Sequence, residues 1–130
     1  MGPHHRLAGY LLTTILLAAT AAPVFAGKAD VLAVHISPND DGSFRIATTV
    51  RHRDTGWDHY ANRWEVLGPA GKVIATRTLL HPHVHEQPFT RSLGSVRIPP
   101  GLTWIKVRAH DLVHGYGGRE VTVSVPGRVH

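Results

Sequence analysis

From position 30 onward, apolar side chains recur at every second residue in short runs that Gly, Pro, Asn and Asp cut apart. A period of two is that of a strand with one buried face, and no window carries the 3.6-residue period of an amphipathic helix. The chain is therefore read as all-β.

"DVLAVHIS" (30–37) is expected to face Leu32, Val34 and Ile36 inward before the turn "PNDDG". "SFRIATTVRH" (43–52) alternates Phe44, Ile46, Thr48 and Val50 against Arg45, Ala47, Thr49 and Arg51. "NRWEVLG" (62–68) carries Trp64 and Val66 inward, and "GPAG" links it tightly to "KVIATRTLL" (72–80). "PFTRSLGSVRI" (88–98) is expected to bend at Gly94. After "PPG" come "TWIKVRAH" (103–110), with Ile105, Val107 and Ala109 inward, and "REVTVSV" (119–125), with Val121, Val123 and Val125 inward. Seven strands at this spacing predict an antiparallel β-sandwich of immunoglobulin or fibronectin type, although a small barrel or jelly roll would give a similar string.

The segment before these strands has another character. Arg6 precedes an apolar run from Leu11 to Ala22, and small residues stand at Val24 and Ala26. This is the layout of a secretory signal peptide cut after Ala26, leaving residues 27–130 as a single domain in the periplasm or outside the cell. The apolar run is shorter than the ~20 residues that cross a bilayer, and nothing later is long enough to span one. The chain has no cysteine, so disulfides, thiolate metal sites and a lipid-bearing cysteine are excluded, and stability must come from packing or a bound ligand.

Removing the leader takes one basic residue from a chain of formal net charge +5. The remaining basic residues are scattered and form no run, so a nucleic-acid surface is not expected. Histidine is the outlier, with nine of the 11 lying beyond Ala26.

If successive strands run antiparallel, the second, fourth and sixth connections emerge at one end of the sandwich. They read "RDTGWDHYA", "HPHVHEQ" and "DLVHGYGG", whereas the opposite end holds the plain turns "PNDDG", "GPAG" and "PPG". The first end thus gathers His59, His81, His83, His85, His110 and His114, supported by Asp58, Glu86, Asp111, Trp57, Tyr60 and Tyr116. In "HPHVH" the residue before proline is pushed to an extended conformation, so alternate imidazoles project to one side. Two of them with a distant third, His59, His110 or His114, would form a three-histidine face for Zn(II) or Cu(II). Asp58 and Asp111 adjoin His59 and His110 and could steady ligating rings from outside. The competing reading is a solvated histidine-rich surface. His35 and His52, on strands, are expected to be surface or packing residues, and His130 a loose tail. "PNDDGS" is read as a turn and not a Ca(II) loop, and "HGYGG" as a flexible hairpin.

The expected function is binding of a divalent transition metal, with no catalytic residue assigned. The alternative is a metal-free module whose loops, with Trp57, Tyr60 and Tyr116, take a protein, peptide or glycan.

Together "GWDHYANRWEV", "HPHVHEQPFTRSL" and "AHDLVHGYGG" resemble an uncharacterised family of small exported bacterial β-sandwich-like proteins. The resemblance spans most of residues 27–130 and implies no activity, cofactor or catalytic residue.

Overall fold

The computed structural model describes residues 27–129; the expected leader and His130 lie outside them. Seven strands form: β1 (Asp30–Pro38), β2 (Phe44–Arg51), β3 (Ala61–Leu67), β4 (Val73–Thr78), β5 (Phe89–Val96), β6 (Trp104–Asp111) and β7 (Val121–Ser124). They make a three-stranded sheet, β1-β2-β5, and a four-stranded sheet, β4-β3-β6-β7, with every pairing antiparallel. This is the expected β-sandwich. The fourth strand pairs with the third and so belongs to the larger sheet.

The core lies between the sheets, where each strand's alternation sends one face inward. Ile46 and Val50 of β2, Trp64 and Val66 of β3, Phe89 of β5, and Ile105 and Val107 of β6 are all almost completely buried. Gly94 acts as expected: two residues of β5, Gly94 and Ser95, oppose one of β2, bending the strand.

One expected face is corrected. A bulge in β1 leaves Leu32 without a partner between Val31↔Val50 and Ala33↔Thr49. Because side chains alternate, the extra residue flips the phase. Val31 is fully buried, Val34 and Ile36 still pack on the core, and Leu32 is only half-buried.

"PNDDG" folds as the expected turn. Asn39 N–H donates to the Ser43 carbonyl at 2.8 Å, and the Asp41 carboxylate accepts the Ser43 amide at 3.0 Å and hydroxyl at 2.6 Å.

The three histidine-bearing connections do meet at one end. The β4–β5 connection is tied to the β2–β3 connection by the His83 amide donating to Asp54 Oδ2 at 2.7 Å. The β6–β7 connection is tied to it by the Leu112 amide donating to the Tyr60 carbonyl at 3.2 Å.

Candidate metal centre

The inward faces of β2 and β6 set up the site. On β2 the inward series Phe44, Ile46, Thr48, Val50 continues one step past the strand to His52, which is buried. On β6 the series Ile105, Val107, Ala109 continues to Asp111, also buried. The core therefore turns polar at this end without a change of phase. His110, one residue earlier, points to the other face, where its Nδ1 bonds Asn62 Oδ1 at 2.6 Å and its ring meets Tyr116 edge-on.

His52, His59 and Asp111 each offer one ligand atom, and the three atoms lie within 4.8 Å of one another. Asp111 Oδ2 is 3.8 Å from His52 Nε2, and Asp111 Oδ1 is 3.1 Å from His59 Nε2. Both separations fall inside the ~4.2 Å that two metal bonds of ~2.1 Å span. His114 stands beside them, its Nδ1 3.4 Å from Asp111 Oδ1 and its ring 5.1 Å from that of His59. The His52 and Asp111 side chains are shielded from water, while His59 is 15% and His114 36% exposed, so the cluster opens on one side.

The supports are specific. Asp54 is buried, and its Oδ1 faces His52 Nδ1 at 2.6 Å and accepts the Ala61 amide at 2.9 Å. A carboxylate holding the far nitrogen of a ligating imidazole fixes its tautomer and orientation. His52 Nε2 in turn faces the Gly27 carbonyl at 2.8 Å. Both ring nitrogens thus meet acceptors, an arrangement that favours the doubly protonated imidazolium. Burial alone would favour the neutral ring, but the Asp54 bond and charge, Asp111 and the Gly27 carbonyl outweigh it and raise the His52 pKa. Asp54 is likewise pushed up by burial and pulled below its usual range by His52 and the His83 and Ala61 amides. For Asp111 burial is again outweighed, here by the His114 and Val113 amides and the charges of His52 and His114.

Asp111 carries the unusual feature. Its Oδ1 accepts the Val113 and His114 amides at 2.8 and 2.7 Å. Its Oδ2 is buried and has no hydrogen-bond partner. His52 Nε2 stands 3.8 Å from that oxygen, beyond hydrogen-bond distance, so it lacks the close donor that burial normally demands.

The "HPHVH" residues are placed differently. His83 is buried with its ring stacked on Phe89 at 4.0 Å, and Nε2 lies 3.0 Å from an Arg91 guanidinium nitrogen. Burial, the Arg91 charge and His81 lower its pKa, so it is a neutral acceptor there. The His81 ring is 4.7 Å from that of His83, and His81 and His85 are exposed. Glu86 pairs with Arg91 at 3.0 Å. None of them belongs to the ligand group formed by His52, His59 and Asp111. Trp57 is 66% exposed and edge-on to Tyr60, and Asp58 is exposed in the same turn. Tyr116 lies beneath Arg108, 3.8 Å from ring centre to guanidinium carbon, and accepts from Arg63 at 2.7 Å.

Two site residues escaped the sequence reading, which expected His52 to be a surface or packing residue and did not single out Asp54. The signal for His52 was present: it continues the inward phase of its strand. Asp54 shares that parity but lies further beyond the strand, where its N–H turns back to the His52 carbonyl at 2.8 Å and alternation no longer predicts a face.

The fold and cluster define a seven-stranded β-sandwich with a buried histidine–aspartate centre at one end. A protein of Halomicrobium mukohataei named "Putative lipoprotein" is 38% identical over 97 residues, 75% of this chain. The match spans 47% of that protein, so the chain corresponds to about half its length. No protein-family model and no solved structure matches the chain.

Proposed function

We propose that the protein binds a divalent transition metal, Zn(II) or Cu(II), through His52 Nε2, His59 Nε2 and Asp111, with His114 at the open side. The observation that carries this is the buried Asp111 carboxylate, whose Oδ2 has no hydrogen-bond partner and lies 3.8 Å from His52 Nε2 while its Oδ1 lies 3.1 Å from His59 Nε2. Two imidazoles and a carboxylate are a familiar zinc set and suit Cu(II) as well. Metal entry replaces the Nε2 proton of His52, while Asp54 keeps the Nδ1 proton.

The role is binding, buffering or delivery of the ion in the periplasm or outside the cell. The leader-like segment 1–26 and the name of the relative support export. Within these 130 residues there is no cysteine to carry a thioether-linked lipid. Titration of metal-free protein with Zn(II) and Cu(II) by calorimetry tests the assignment. One saturable site is expected, weakened at least 100-fold by His59→Ala and by Asp111→Asn. Unchanged affinity in both variants refutes it.

A second reading has its own support. Trp57, Leu80, Val84, Leu112 and Val113 are large apolar side chains left exposed, and all five lie in the three connections at this end. Exposed apolar groups gathered on loops suit a protein, peptide or glycan partner. Loss of partner binding in Trp57→Ala with metal affinity intact would favour it.

A further inference from the structure

We infer that processing completes the centre: once the chain is cut after Ala26, the new α-amino group of Gly27 becomes an additional nitrogen ligand to the ion held by His52, His59 and Asp111. The inference rests on the metal reading above and on the cleavage expected from the sequence.

Position comes first. The Gly27 carbonyl oxygen lies 2.8 Å from His52 Nε2, close to the roughly 3 Å that separates neighbouring ligands bonded at ~2.1 Å to one ion. The Gly27 nitrogen is three bonds from that oxygen and therefore under about 4 Å away. A nitrogen and an oxygen so related close a five-membered chelate ring on a metal.

The segment is also held in place. Val31 N–H donates to the Arg119 carbonyl at 2.8 Å, and Arg119 N–H donates to Asp30 Oδ1 at 2.7 Å. Gly118 leaves no room for a side chain, since a Cβ there would run into the Ala29 carbonyl, and Lys28 lies against Gly117. The β6–β7 connection, which supplies the amides that fix Asp111, thus also grips residues 28–31. The stretch "HGYGG", expected to be a flexible hairpin, includes the close contact that seats the Gly27 end.

The chemistry requires the cut. In the precursor the Gly27 nitrogen is an amide whose lone pair is delocalised into the Ala26 carbonyl, and it is a poor donor. Hydrolysis of the Ala26–Gly27 bond consumes one water and leaves a carboxylate on Ala26 and a protonated amine, an ammonium, on Gly27. The ion then displaces one proton from that amine and one from His52 Nε2, both to solvent. The chain would take metal tightly only after export, where the cytoplasm cannot compete for it.

The test compares three chains, each checked for β-sheet content by circular dichroism: residues 27–130 with a free Gly27 amine, residues 25–130, and residues 27–130 with Gly27 Nα-acetylated. Each is titrated with Cu(II) and with Zn(II), with and without His59→Ala. The free-amine chain should bind Cu(II) at least tenfold tighter than both blocked forms, with a Cu(II) electron paramagnetic resonance spectrum showing one more nitrogen ligand. His59→Ala should weaken binding in all three. Equal affinities and spectra across the three chains, with His59→Ala still disruptive, overturn the amine ligand and leave the metal reading standing. Binding that ignores His59→Ala, or no binding in any chain, overturns both.

Discussion

Asp54→Asn in the metal-free protein isolates the interaction on which the site depends. Asp54 accepts three hydrogen bonds in a buried setting, from His52 Nδ1 and the Ala61 amide on Oδ1 and from the His83 amide on Oδ2. An asparagine can keep its oxygen toward His52 and Ala61, but its NH2 then opposes the His83 amide, donor against donor. That loses a charge-assisted bond of about 1.5–3 kcal/mol and leaves a buried donor unpaired. It also removes the counter-charge of a buried imidazolium, and breaking such a pair costs about 3–5 kcal/mol. The two losses overlap, because His52 can shed its proton at the expense of its bond to Gly27. A net destabilisation of about 3–4 kcal/mol follows, a large fraction of the ~5–15 kcal/mol that holds a domain folded.

The pH dependence has a definite sign. The His52 pKa is raised on folding, so its share is full below the unfolded value of 6.5 and is lost as pH rises through the higher folded value. The Asp54 pKa is lowered, so its share is present above the unfolded value of 3.8 and is lost as pH falls through the lower folded value. The stability difference between wild type and Asp54→Asn, from urea unfolding followed by tryptophan fluorescence, should be largest at about pH 4–6.5 and shrink toward pH 9. A difference below ~1 kcal/mol at pH 6, or one that grows on going to pH 9, would refute the buried ion pair.

Other outcomes follow from the same geometry. Metal affinity should fall steeply with acid, and the fall should begin above pH 6.5 because the raised His52 pKa makes its proton the hardest to displace; affinities measured from pH 9 to 5.5 check this. His81→Ala/His85→Ala should leave metal affinity within about twofold by calorimetry, since both residues are exposed and outside the ligand group. His83→Ala should destabilise the fold by about 2 kcal/mol through loss of its packing on Phe89, without a comparable change in metal affinity. Val31→Ala should cost about 2 kcal/mol and Leu32→Ala less than ~1 in urea unfolding, the reverse of the ranking by side-chain size, because the bulge buries the smaller residue.

The period-two pattern by itself determined the strands, their order and the end of the sandwich at which the histidine-bearing connections gather, because alternation and turn chemistry are local properties of the chain. It also carried His52 and Asp111 inward, one step beyond the apolar residues that define their strands. Leu32 shows where local reasoning stops: one unpaired residue reverses every face before it, and that is fixed by the partner strand. Tertiary structure alone decided which histidines meet. "HPHVH" has ligand spacing, yet Phe89 and Arg91 take up His83, while His52 and His59, both in the β2–β3 connection, meet Asp111, 52 residues beyond His59, because β2 and β6 belong to opposite sheets that face each other across the core. The placing of Gly27 against His52 was equally invisible in the string, since it depends on a close approach of Ala29 to Gly118 that no local pattern encodes.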